Sequence, residues 1–295
     1  MRPHRRFDRG NVQPGFWEKE SQKVVVKKIA IYAFLTMVCV SCVYPFLFMF
    51  STSLKATMNI FSSPLELIPA RPTLENYAYL FRTLPILRWV SNSFIVATAV
   101  TIAKIVIDSM AGYTFARRSF FLKNLLFVLI LGTLMIPTAV TMIPSFLIIK
   151  NLRLLNTYWG LIIPPLSFPL GVFLLRQYMS TIPHELEDAA RIDGCTAFSI
   201  YARLFFPLSA PAITVLTIFT FMQQWTSLLW PVIVTSSTEM NTLTVGVARL
   251  KAESSGVNWG LIMSANTVSL VPIVIIFLFL QRYFIEGMTA GSLKG

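Results

Sequence analysis

Five stretches without a charged side chain, residues 29–50, 124–149, 154–175, 204–238 and 254–281, dominate this chain. Each supplies the roughly 20 apolar residues that a helix needs to cross a hydrocarbon core. A sixth stretch, from about Trp89 to Gly112, is interrupted by Lys104 and Asp108, but the apolar and small residues around that pair keep it a plausible span. The uncharged run from Leu204 to Thr238 exceeds one crossing and falls short of two, so it predicts one helix with an apolar approach. Hydrophobic residues make up 55% of the 295, charged ones 13%, and the mean hydropathy is +0.66. That balance excludes an ordinary soluble domain. The expected fold is an all-α membrane protein with six transmembrane helices. Its spanning domain covers 29–285, between a basic tail at 1–28 and a short C-terminal tail at 286–295.

Orientation follows from the basic residues on alternate sides of the spans, because their bias in short loops sets topology. With both termini cytoplasmic, the inside holds sixteen Lys and Arg, eight of them before Ile29, and the outside holds eight. The net charge is +12, and the largest concentration of basic residues is that N-terminal tail. Its place beside the first span marks it as topogenic and lipid-facing, not as a nucleic-acid-binding arm. The tail is also long, with no Ala-x-Ala-like site after the apolar run, which predicts that the first helix is retained.

One segment on the cytoplasmic side breaks the basic pattern. Pro183 suits the first position of a helix, Glu185, Glu187 and Asp188 crowd the first turn where the helix dipole favours negative charge, and Gly194 suits a left-handed C-terminal cap. The pattern predicts a helix of about three turns, too short to be stable in water unless it docks onto something. Leu186, Ala189 and Ala190 form a small face at i, i+3 and i+4. Two readings stay open for the helix by itself: a connector lying on its own protein, or a lever set into a partner's groove.

Catalytic chemistry is not indicated. Cys39 and Cys42 form a C-x-x-C pair inside an uncharged helix with no basic neighbour to stabilise a thiolate, which points to inert packing. Cys195 has no evident partner. The histidines, His4 and His184, lack metal-ligand spacing, so no catalytic or metal site is expected. No phosphate-binding loop is present, so ATP, if used, is bound by another subunit. Lys104 and Asp108, at i and i+4 in the second span, each cost roughly 2.5–3.5 kcal/mol at mid-bilayer. They suit either a polar lining or a snorkelling pair at a helix contact. Prolines 45, 137, 144, 164, 165, 169, 231 and 272 fall in or at the ends of spans, as in helices that bend or line a path. Gln223, Gln224 and Trp225, with Asn266 in the sixth span, suit either a polar translocation path or inter-helix hydrogen bonding.

The run Glu187-Asp-Ala-Ala-Arg-Ile-Asp-Gly194, followed nine residues later by Leu204-Phe-Phe-Pro207, resembles the E-A-A-x-x-x-G-x(9)-I-x-L-P signature of binding-protein-dependent ABC importer permeases. Asp188 stands where the family has Glu, and Leu204 and Phe206 where it has Ile and Leu. The stretches Asn151–Gly160, Trp225–Pro231 and Gln281–Gly295 are similar to the carbohydrate-uptake branch, in its subunit like the smaller maltose permease protein. The resemblance implies a six-helix permease of the type I importer kind in a bacterial-type cytoplasmic membrane. It implies as partners a second homologous permease, two ATPase subunits that carry ATP and Mg, and an extracytoplasmic solute-binding protein. This chain would bind no cofactor. The helix at 183–194 would be the coupling helix within a coupling segment 183–207. There Glu187 and Asp188 supply charged contacts, Ala189 and Ala190 close approach, Gly194 the helix exit, and Leu204 and Pro207 the end of the signature. External segments at about 53–88 and 236–256 would receive the binding protein, and the C-terminal tail would reach the ATPase pair. The solute would be a sugar, an oligosaccharide, or a related polyol or glycerol phosphate. Two competing classes are an ion-coupled secondary transporter built on Lys104 and Asp108, and a membrane-embedded enzyme. The lack of a visible inverted repeat argues against the first. The scarcity of ionisable groups in the spans argues against the second.

Overall fold

A computed structural model describes residues 16–56, 67–253 and 258–290, so the first fifteen residues, parts of both external segments and the last five residues lie outside it. The helices in chain order are α1 (Phe16–Ser53), α2 (Glu75–Thr83), α3 (Ile86–Arg117), α4 (Lys123–Gly132), α5 (Thr138–Asn151), α6 (Tyr158–Ile162) and α7 (Leu170–Ser180). There follow α8 (His184–Ile192), α9 (Ala197–Ile200), α10 (Phe206–Leu208), α11 (Ala210–Trp225), α12 (Leu229–Val234), α13 (Leu243–Glu253) and α14 (Trp259–Ala290).

Three segments are long and apolar enough to cross a membrane unbroken: Val25–Ser53 in α1, Ile86–Arg117, and Trp259–Phe279 in α14. Three further crossings are bent pairs, which bring the total to six. The in-span prolines suggested helices that bend, and the structure gives the size of each bend. Lys123–Met135 and Thr138–Asn151 meet at 100°, Tyr158–Ser167 and Leu170–Ser180 at 48°, and Ala197–Leu208 and Ala210–Trp225 at 75°. Proline has no N–H to donate and disfavours helical conformation in the residue before it. Ile136, before Pro137, accordingly takes an extended ψ of 117°, and Phe168, before Pro169, an extended ψ of 114° after a 3₁₀ turn at Pro164–Ser167. At the third bend a π-helical turn, Tyr201–Phe205, runs into Pro207 and then Ser209. The apolar run 204–238 also resolves differently from the single helix expected. α11 ends at Trp225, and α12 is a separate short helix.

α3 is the central element. It packs most closely against α7 and α11, and α11 in turn lies against α14. Trp89 and Ala97 of α3 join Leu80, Phe221, Trp225, Leu243 and Ala265 in one core cluster. α1 lies beside α14, yet every side chain from Val25 to Leu47 is exposed, Cys39 and Cys42 included. The two cysteines are therefore on the outer face of α1, which corrects the expectation of inert packing. An apolar wall of that length is compatible only with a lipid or protein neighbour.

At the end of the bundle remote from α8, side-chain amides tie the loops down. Asn92 donates to the carbonyls of Glu239 and Asn241 and accepts from the Tyr158 hydroxyl at 2.7 Å. Asn156, at φ 56°, accepts from the backbone N–H groups of Ser236 and Ser237. Trp89 donates its indole N–H to Thr238 O at 2.8 Å. Buried backbone groups of a non-helical loop must be paired, and these side chains pair them.

Candidate functional site

α8 spans His184–Ile192, with Pro183 as its N-cap in an extended conformation, one position earlier than the sequence placed it. Its C-terminus is a Schellman closure: Gly194 N–H donates to Arg191 O and Cys195 N–H to Ala190 O, both at 3.0 Å. Gly194 takes φ +79°, the left-handed conformation that the cap requires and glycine adopts without steric cost.

The two faces of α8 differ in kind. Asp188, Ala189 and Gly194 are exposed, together with Leu186 and with Ile192, which is 87% exposed. Ala190 and Leu204 pack against the cluster of Tyr113, Met179, Ile182, Ile200, Tyr201 and Phe205, while Pro207 is exposed. Glu187 is turned inward and is 3% exposed. Its Oε1 accepts from Arg191 Nη2 at 2.7 Å and lies 3.5 Å from Arg118 Nη1. Sequence reasoning grouped Glu187 with Asp188 as outward charges, and the structure separates them. It also missed Phe198, 66% exposed just beyond α8, which with Ile192 extends the apolar surface on this side. A large apolar residue following the cap glycine was the available signal.

Within the spans, Lys104 Nζ lies 3.0 Å from Asp108 Oδ2, and the residues are only 3% and 1% exposed. The pair does not snorkel. Lys104 also donates to Phe168 O, a carbonyl released where the chain breaks before Pro169. Asp108 lies against Gly171 in the first turn of α7, where the helix dipole favours a carboxylate. Together the two charges join α3 to the break in the fourth crossing.

The residues expected to form a translocation path do not all converge. Trp225 and Asn266 line a cavity of about 510 Å³ between α1, α11, α13 and α14, together with Thr226, Thr244 and Trp259. Trp225 stacks on Phe221 with ring centroids 5.9 Å apart and donates its indole N–H to Ser269 O. Gln223 is exposed and Gln224 half-buried, and neither lines this cavity. Trp259 and Thr244, which lie outside the fifth-span polar run, were not singled out from the sequence. No group of three or more His, Cys, Asp or Glu that would hold a metal ion occurs among the described residues.

The family of binding-protein-dependent transport system inner membrane components matches residues 108–290, which include α8, the inner cluster and the cavity walls formed by α11, α13 and α14. The arabinooligosaccharides transport system permease protein of Halalkalibacterium halodurans is 36% identical over 267 residues, covering 90% of this chain and 94% of that protein. Its Bacillus subtilis counterpart is 35% identical over 280 residues, covering 94% and 99%. The sn-glycerol-3-phosphate transport system permease protein of Yersinia pestis is 34% identical over 237 residues, covering 78% and 84%. Among solved structures, a bacterial ABC transporter involved in the import of the acidic polysaccharide alginate superposes with TM-score 0.78 at 19% identity, covering 88% of this chain and 96% of that one. The chain belongs to the family of binding-protein-dependent transport system inner membrane components and has the fold of an ABC importer permease.

Proposed function

We propose that this chain is one permease subunit of an ATP-driven importer for a carbohydrate or a glycerol-phosphate-like solute, with both termini and α8 on the cytoplasmic side. The observation that carries this reading is the two-faced α8. Its inner face is fixed to the bundle by Glu187 and Ala190, while Asp188, Ala189 and Ile192 are presented outward. An outward face with a carboxylate, a small residue for close approach and an apolar tip suits a groove on a partner. That partner is an ATPase subunit, present as a pair that carries ATP and Mg. A second homologous permease completes the pathway, and an extracytoplasmic solute-binding protein delivers the solute to the end held by Asn92 and Asn156.

ATP-driven closure of the ATPase pair would displace α8, and the two permease halves would rock between inward-open and outward-open states. The energy for this comes from the ATPase binding α8 differently in its two states. The solute class follows from the arabinooligosaccharide and glycerol-phosphate relatives. Trp225, Trp259 and Asn266 would supply stacking faces and an amide for a polar solute. Lys104 and Asp108, paired and sealed between α3 and α7, suit a joint in this device more than an ion-coupling site.

The test is purification of the tagged chain from native membrane in mild detergent. Recovery of a second permease and an ATPase that hydrolyses ATP, with the ATPase lost on Ala189→Trp or Gly194→Pro at normal membrane levels, is expected. Recovery of the chain alone, with ion-driven uptake after reconstitution, contradicts the proposal.

A further inference from the structure

We infer that Arg117 and Arg118, at the end of α3, are positioning residues that clamp α8 to the second span from its entry, its middle and its exit. The inference rests on α8 being the ATPase-docking helix, and it assigns the pair through which that helix acts on the membrane domain. Arg117 is the last residue of α3, and Arg118 leaves the helix at φ −104°, ψ 146°. That turn lets two adjacent guanidinium groups reach different elements.

Arg117 is buried against the elements on both sides of α8. Its Nε donates to Met179 O in α7 at 3.1 Å, and Nη2 donates to Ile182 O, one residue before Pro183. The guanidinium carbon lies 4.7 Å from the centroid of the Phe205 ring, in the π-helical turn that follows α8 and α9. Carbonyls at a helix C-terminus lack intrahelical partners and attract a cation, so Arg117 closes α7 and fixes the entry to α8 in one contact set. Arg118 grips the middle. Its Nη1 faces buried Glu187 at 3.5 Å, while the group packs 5.2 Å from the Tyr113 ring centroid and donates to the Tyr113 hydroxyl. A third tie runs parallel to these, from Ser109 to the Tyr201 hydroxyl at 2.7 Å.

A nine-residue helix held this way cannot shift without either carrying the end of α3 or parting buried charges from their partners. α3 in turn is pinned to the break in the fourth crossing by Lys104 and Asp108. Displacement of α8 is thereby delivered to α3 and α7 as one body.

The experiment uses the full complex in lipid nanodiscs. It reads amide exchange of residues 184–192 together with ATP hydrolysis stimulated by the co-purified solute-binding protein. Arg118→Glu is expected to raise exchange across α8 roughly tenfold. It should also cut stimulated hydrolysis roughly tenfold while the ATPase stays bound. Reversing all three charges, Arg118→Glu with Glu187→Arg and Arg191→Glu, recreates both ion pairs and should return both readings to within about threefold of the unmodified chain. If Arg118→Glu does not insert, Arg118→Gln is read in its place and should show the same two changes at smaller size. Exchange and stimulation within about twofold of the unmodified chain in these variants, or a triple variant as defective as the single one, would overturn the clamp. If no ATPase accompanies the unmodified chain, the importer reading fails. The exchange comparison then still decides whether Arg118 positions α8.

Discussion

Gly171 approaches Asp108 so closely that a methyl group at its Cα would lie 2.0 Å from the carboxylate Oδ2 and 2.9 Å from Leu216. The sealed ion pair, the first turn of α7 and α11 therefore meet with no spare volume. Gly171→Ala would normally gain about 1 kcal/mol of helix propensity, but here overpacking costs about 1–3 kcal/mol and leaves the carboxylate nowhere to move. The expected outcome is a lower thermal unfolding midpoint in detergent, read on the purified subunit.

The pair itself makes a second case. Lys104→Met leaves Asp108 buried without its cation, and Asp108→Leu leaves Lys104 in the same position. Each single change should destabilise by about 3–5 kcal/mol, and the double variant by clearly less than the sum. A double-mutant cycle on unfolding free energy checks this. Additive effects would mean that the two charges do not depend on each other.

Gly194 concerns the exit from α8. With φ at +79° and open space around its Cα, substitution meets backbone strain and no clash. Gly194→Ala should cost about 1–2 kcal/mol locally. Gly194→Asn, whose side chain tolerates the left-handed region, should cost less, and Gly194→Pro also deletes the bond to Arg191 O. Uptake should fall in the order Asn, Ala, Pro at equal membrane levels.

Asn266 tests the cavity. Asn266→Ala removes an amide from its wall without disturbing the Trp225 bond to Ser269, so insertion and thermal stability should hold while uptake falls several-fold, a loss of about 1 kcal/mol in transition-state binding. Trp225→Ala should lower both, because Trp225 also belongs to the core. Unchanged uptake in Asn266→Ala would place the solute path elsewhere.

What the sequence made legible followed from strong local signals. Uncharged stretches marked the crossings. Pro183, the acids of the first turn and Gly194 bounded α8 to within one or two residues, because caps and dipole effects are local. Breaks within the crossings were less visible. Prolines 137 and 169 suggested bending, but an apolar run looks continuous whether the helix is straight or turned through 100°. The inward turn of Glu187 was hidden because its partner Arg118 lies just past the end of α3, far off in the chain, and packs over the ring of Tyr113. The same holds for Asn92, whose carbonyl partners are 147 and 149 residues away and which reads in sequence as an ordinary polar residue near the start of a weak span.

In the proposed importer α8 meets an ATPase with one face and its own bundle with the other. The most direct measurement places a photo-reactive residue at Asp188, Ala189, Ile192 or Glu187 in turn, and identifies cross-linked partners in native membrane. Adducts to a co-purifying ATPase are expected from Asp188, Ala189 and Ile192, and only internal adducts from Glu187. Absence of an ATPase adduct from all three outward positions, in a chain inserted at normal levels, would contradict docking of α8 on an ATPase.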